Sequence, residues 1–125
     1  MSKPYLRPIP FTWWNKNNAY RIFMLREISS VFVALFVLEL LCFVLVASKS
    51  PENFDKYVEA LKSPGWIVFH VVVLGFSLLH SITWFNLTPK VLVVRKGEEK
   101  LPDALIAGAH YLAWIVVSIV IWMII

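Results

Sequence analysis

Three blocks of the chain, Ile28 to Ala47, Trp66 to Leu87 and Ala104 to Ile125, are almost unbroken apolar sequence, and charged segments separate them. About twenty apolar residues cross roughly 30 Å of hydrocarbon as a helix, and a helix satisfies its own backbone there, so each block predicts a transmembrane helix. The pattern gives one membrane domain: a leader (1–27), three spans (28–47, 66–87 and 104–125) and two loops (48–65 and 88–103). In the first loop Ser50-Pro51 has the form of an N-cap followed by proline at the first helical position, and Phe54, Tyr57, Val58 and Leu61 recur at helical spacing. A short helix resting on the membrane surface is expected there. Ser63-Pro64 opens the second span in the same way, and Pro89 is expected to stop it. The leader, with Pro4, Pro8, Pro10, Trp13 and Trp14, is expected to lie as an irregular segment along the headgroup layer, anchored by its tryptophans.

Composition excludes a soluble domain, because 59% of residues are hydrophobic against 16% charged and the mean hydropathy is +0.71. The fold class is therefore an all-α membrane protein. A net charge of +4 raises the question of nucleic acid, but the basic residues flank the apolar blocks, where lipid headgroups and topology account for them. Lys3, Arg7, Lys16, Arg21 and Arg26 face one acid in the leader, and Lys90, Arg95, Lys96 and Lys100 crowd the second loop, whereas charge in the first loop balances. The positive-inside rule puts the N-terminus and second loop in the cytoplasm and the C-terminus outside. The leader is too long, and the apolar run after it too extended, for a cleaved signal peptide. Cys42 is the single cysteine, which excludes an intrachain disulfide and any CxxC metal site.

Polar residues inside the spans carry the functional question, since ionisable groups are unfavourable in a bilayer and mark candidate sites. Arg26 and Glu27 stand at the cytoplasmic mouth of the first span, with Ser30 one turn deeper. In the second span Ser77, His80, Ser81 and Trp84 form a stripe, and in the third Ala107, His110, Tyr111, Trp114 and Ser118 form another at comparable depth. An acid, a guanidinium, an imidazole and an indole at one membrane face suit a quinone, whose ring needs flat apolar walls, whose carbonyls need donors and whose redox chemistry moves protons with electrons. In that reading Glu27 takes a proton from the quinol, Arg26 stabilises negative charge on the ring oxygens, His80 donates to a carbonyl and Trp84 forms a wall. A plainer reading makes Arg26 and Glu27 an interfacial ion pair and His80 a packing residue. A third makes His80 and His110 axial ligands of a haem; His70 lies too far along the second span to share one haem with His80. Glu39, near the middle of the first span, is costly there unless protonated or paired, and contact with a neighbouring helix is the expectation for it.

Lys3-Pro-Tyr-Leu-Arg-Pro8, Thr12-Trp-Trp14, Tyr20-Arg21, Met24-Leu-Arg-Glu27, Leu78-Leu-His-Ser-Ile-Thr-Trp-Phe85 and Pro89-Lys90 together resemble the C subunit of bacterial quinol:fumarate reductase. The resemblance covers nearly the whole chain. It implies one of two three-helix anchors that hold a flavoprotein and an iron–sulfur subunit at the inner membrane, the second small anchor being the D subunit. It also implies menaquinol oxidation near the cytoplasmic face, with electrons passing through iron–sulfur clusters to a covalent FAD, both in partner subunits, where fumarate becomes succinate. Arg26, Glu27, Ser30, His80 and Trp84 match positions at the quinone site, although Ser30 replaces a smaller residue. The resemblance further implies an anchor without haem, a periplasmic C-terminus and no catalysis by this chain alone. His110 departs from the family's third helix.

Overall fold

The computed structural model describes residues 8–125, so the leader's Lys3, Pro4, Tyr5 and Arg7 lie outside the described residues. A turn of 3-10 helix, Trp13–Asn15, precedes helix α1 (Asn18–Ala47); α2 (Pro51–Leu61), α3 (Pro64–Val91), a hairpin of β1 (Arg95–Lys96) with β2 (Glu99–Lys100), and α4 (Asp103–Ile124) follow. Helices α1, α3 and α4 are each long and apolar enough to cross a membrane. Contacts divide the chain into two compact units, Met1–Ser77 and Leu78–Ile125.

Within the first unit, α1 starts well before the apolar block and so replaces the second half of the leader expected to be irregular. Local chemistry accounts for this early start. The Asn17 side chain accepts from the backbone N–H of Tyr20 at 2.9 Å, Arg21 Nε donates to Asn15 Oδ1 at 2.8 Å, and Trp13 meets Tyr20 edge-on at 5.5 Å. A capped first turn offsets the unpaired N–H groups that otherwise fray a helix end. Ser50 caps α2, its hydroxyl accepting from Asn53 N–H at 3.3 Å, and Pro51 occupies the first turn. Phe54 and Tyr57 of α2 then pack on Phe43 of α1 with ring centroids 5.3 and 6.3 Å apart. The first turns of α3 meet α1 through Phe76 stacked on Phe32 at 4.1 Å and Phe36 edge-on to His70 at 6.4 Å.

Within the second unit, α3 does not stop at Pro89. It continues to Val91 with Pro89 buried in its last turn, where Leu92 N–H bonds the Thr88 carbonyl at 2.7 Å. The proline lacks the N–H that would bond the Phe85 carbonyl, and the helix runs only two residues beyond it. The second loop carries a hairpin pairing Lys96 with Glu99, closed by Gly97 at φ 67°, the positive angle that the first central position of such a two-residue turn requires. Phe85 packs against His110, Tyr111 and Trp114 of α4 at 5.7, 5.1 and 5.9 Å.

Buried apolar side chains are few among the described residues, Val73 in the first unit and Ile106 in the second, while Val44, Val71 and Trp122 are 62%, 65% and 81% exposed. Helices this apolar and this uncovered take lipid tails or other membrane helices as their surroundings.

Candidate functional site

The residues read from the sequence as a quinone site fall in both units. Arg26, Glu27 and Ser30 belong to the first. Arg26 lies over the Phe23 ring, its guanidinium carbon 5.7 Å from the centroid, and it is half-buried. Glu27 is exposed, and the ion pairs formed among the described residues (Lys56–Glu52, Lys62–Glu59, His70–Glu39 and Lys100–Asp103) do not include it. The plainer reading of Arg26 and Glu27 as an interfacial ion pair therefore finds no such pair, and helix geometry gives the reason: consecutive side chains on a helix point about 100° apart. The Ser30 hydroxyl donates to the Glu27 carbonyl at 2.6 Å, so its proton is engaged while its lone pairs stay available. Neighbouring Ser29, which the sequence pattern gave no reason to single out, is fully buried and donates to the Arg26 carbonyl.

His80 and Trp84 belong to the second unit, one turn apart on α3, with ring centroids 6.1 Å apart and planes inclined at 55°. Thr83 between them turns its hydroxyl to the carbonyls of Leu79 and His80 at 2.8 and 3.0 Å. Asn86 Nδ2 donates to the Tyr111 hydroxyl at 3.0 Å and to the Ile82 carbonyl at 2.8 Å, joining α3 to α4. His110 sits in this contact. Its Nδ1 lies 2.8 Å from the Ile106 carbonyl, which can only accept, so Nδ1 carries the hydrogen and the ring packs on Phe85.

A second polar centre lies further along α1. Glu39 meets His70 of α3, Oε1 to Nε2 at 2.8 Å, with the Glu39 side chain 8% and the His70 side chain 35% exposed. The sequence led to the expectation of a helix contact for Glu39 without naming the partner. The signal was present: Glu39 lies two turns before the end of one span and His70 two turns after the start of the next, so an antiparallel pair brings them level. Tyr57 reaches the same place from α2, its hydroxyl 3.5 Å from the Glu39 carbonyl. Burial first, and the neighbouring Glu39 and Cys42 second, raise its phenol above the ordinary value of 10.0.

The whole chain, residues 1–125, matches the model of the family of fumarate reductase C subunits. Among curated proteins it is similar to the fumarate reductase C subunit of Mycobacterium tuberculosis strain H37Ra, 36% identical over 121 residues that make up 96% of each chain. It is likewise similar to the corresponding C subunit of Enterobacter sp. strain 638, 37% identical over 122 residues, 97% of this chain and 93% of that one. A third relative, the C subunit of Salmonella heidelberg strain SL476, is 35% identical over 119 residues, 94% of this chain and 88% of its own.

Proposed function

The chain belongs to the family of fumarate reductase C subunits and is a membrane anchor of that enzyme, and on this premise we propose that it contributes to the site where menaquinol is oxidised. The observation that carries the reading is the Glu27 carboxylate, exposed beside Arg26 where the apolar run of α1 begins, and outside every ion pair among the described residues. Each menaquinol loses two electrons and two protons on becoming menaquinone. Glu27 takes the proton that leaves one ring hydroxyl and releases it before the second departs, and a general base in that position contributes about 10²–10⁴-fold to a rate. Arg26, steadied over Phe23, stabilises the developing negative charge on the ring oxygen. His80 donates to the second oxygen, Trp84 forms an aromatic wall, and Ser30 offers an acceptor oxygen while its proton stays on the Glu27 carbonyl.

The electrons leave for groups this chain does not carry. With Cys42 as its single cysteine it supplies no cysteine set for an iron–sulfur cluster. The iron–sulfur subunit and the FAD-bearing flavoprotein therefore receive them, and the chain does not reduce fumarate on its own. It anchors these subunits at the bacterial inner membrane beside the second small anchor, the D subunit, through a cytoplasmic leader and second loop, with its C-terminus periplasmic. The basic hairpin of Arg95, Lys96 and Lys100 supports that orientation.

The test is Glu27→Gln in the assembled complex. Menaquinol oxidation falls by about 10²–10⁴-fold while fumarate reduction from a soluble artificial donor persists. Unchanged quinol oxidation would remove Glu27 as the proton acceptor and leave the chain a structural anchor.

A further inference from the structure

In the second unit the two sides of α3 carry different residues. With successive side chains about 100° apart around the axis, His80 and Trp84 lie roughly 40° from one another, and Phe85 and Asn86 lie about 100° and 200° beyond Trp84. The midlines of the two pairs are thus about 170° apart. Phe85 and Asn86 are the residues that meet α4, Phe85 through His110, Tyr111 and Trp114 and Asn86 through the Tyr111 hydroxyl. Helix α4 therefore grips α3 from behind the side that carries His80 and Trp84.

Of these contacts, the one made by Asn86 has a direction. Its amide nitrogen carries two hydrogens, and the Ile82 carbonyl at 2.8 Å and the Tyr111 hydroxyl at 3.0 Å take them. The first bond fixes the amide against its own helix. The second ties that fixed amide to a point on α4. Ring contacts such as Phe85 on Tyr111, 5.1 Å between centroids and near perpendicular, are satisfied over a range of offsets, whereas a hydrogen bond weakens steeply once it is bent. Polar side chains of membrane helices bond across to neighbouring helices in this way, and the rotation of one helix against the other is then set.

We propose that Asn86 and Tyr111 are positioning residues for quinol oxidation, their bond setting the rotation of α3 and with it the direction in which His80 and Trp84 face. The proposal rests on the reading of His80 and Trp84 as quinone contacts. Without the bond, α3 spends part of its time turned, and only the fraction facing correctly takes up quinol. Apparent affinity falls by that fraction. Quinol that has bound meets the same groups as before, so turnover at saturation is kept.

Steady-state kinetics of the assembled complex with menaquinol test this. Tyr111→Phe keeps the ring on Phe85 and deletes the hydroxyl. Its KM for quinol rises about threefold, the size of one hydrogen bond between membrane helices, while kcat and fumarate reduction from a soluble artificial donor stay at the wild-type level. Asn86→Leu moves KM in the same direction and serves where Tyr111→Phe does not assemble. The double variant is no worse than the more affected single one, because both changes remove one bond. An unchanged KM in the single variants, a fall in kcat without a rise in KM, or effects that multiply in the double variant would overturn the proposal. His80→Ala separates it from the reading beneath it. Unchanged quinol oxidation in His80→Ala removes the quinone contact and the proposal together, whereas impaired oxidation there with an unchanged KM in Tyr111→Phe and Asn86→Leu removes the positioning role alone.

Discussion

Helix α1 carries two carboxylates, and they live in opposite circumstances. Glu27 is exposed beside a half-buried arginine and outside the ion pairs of the described residues; Glu39 is almost fully buried and held by His70. The same side chain on the same helix is exposed in one place and held in a hydrogen bond in the other. Accessibility together with partner geometry decides which role a membrane acid takes, and depth alone does not.

The largest effect that bears on this comparison is on turnover. Glu27→Gln lowers menaquinol oxidation by about 10²–10⁴-fold, whereas Glu39→Gln, which keeps an acceptor for His70, leaves it within a small factor; steady-state assays with quinol and with an artificial donor separate the two. Comparable losses at both positions would erase the distinction.

Stability comes next, and it reverses the ranking. Glu39→Leu leaves His70 Nε2 without its partner and costs about 1–3 kcal/mol, seen as a fall of a few degrees in the melting temperature of the complex, while Glu27→Gln moves it little. The double change Glu39→Leu, His70→Leu recovers most of the loss, since two apolar groups leave nothing unpaired. A double variant no better than the single one would show that the two residues are not coupled.

A smaller effect belongs to the start of α1. Asn17→Ala removes the cap on Tyr20 N–H and costs about 1 kcal/mol, read as faster amide exchange in the first turn on the side nearest Glu27. Smallest is the pH effect at Tyr57. Its phenol is raised in the folded chain, so the neutral form is favoured by folding; that contribution is complete below pH about 10 and disappears as pH rises through the higher folded value. In a spectrophotometric titration Tyr57 ionises above the ordinary phenol value, and Tyr57→Phe removes that late step.

Much of the fold was legible because hydrocarbon imposes a length. Blocks of about twenty apolar residues admit few alternatives, and Ser50-Pro51 and Ser63-Pro64 mark helix starts through local chemistry that needs no tertiary context. The early start of α1 was hidden because the prolines and aromatics of the leader suggested irregular chain, while the bonds that set the start depend on Asn15 and Asn17 meeting Arg21 and Tyr20. Pro89 marked the end of α3 to within two residues, since the helix stops soon after the N–H is lost. The hairpin rests on Gly97 alone, a weak signal between Lys96 and Glu98. For the candidate site, residue types and spacing singled out Arg26, Glu27, Ser30, His80 and Trp84, but Ser29, equally polar, was passed over because only packing reveals burial. The Glu39–His70 bond joins residues 31 apart in sequence and depends on how two antiparallel spans align.

That separation also matters while the chain is being made. At a synthesis rate of roughly 5–20 residues per second, Glu39 is polymerised some seconds before His70. A charged acid without a partner is unfavourable in hydrocarbon, and the bond to His70 closes only when the second long helix arrives. The pair thus acts as a late latch in biogenesis, and variants at His70 would leave newly inserted α1 exposed to membrane quality control before any defect in the finished enzyme could be measured.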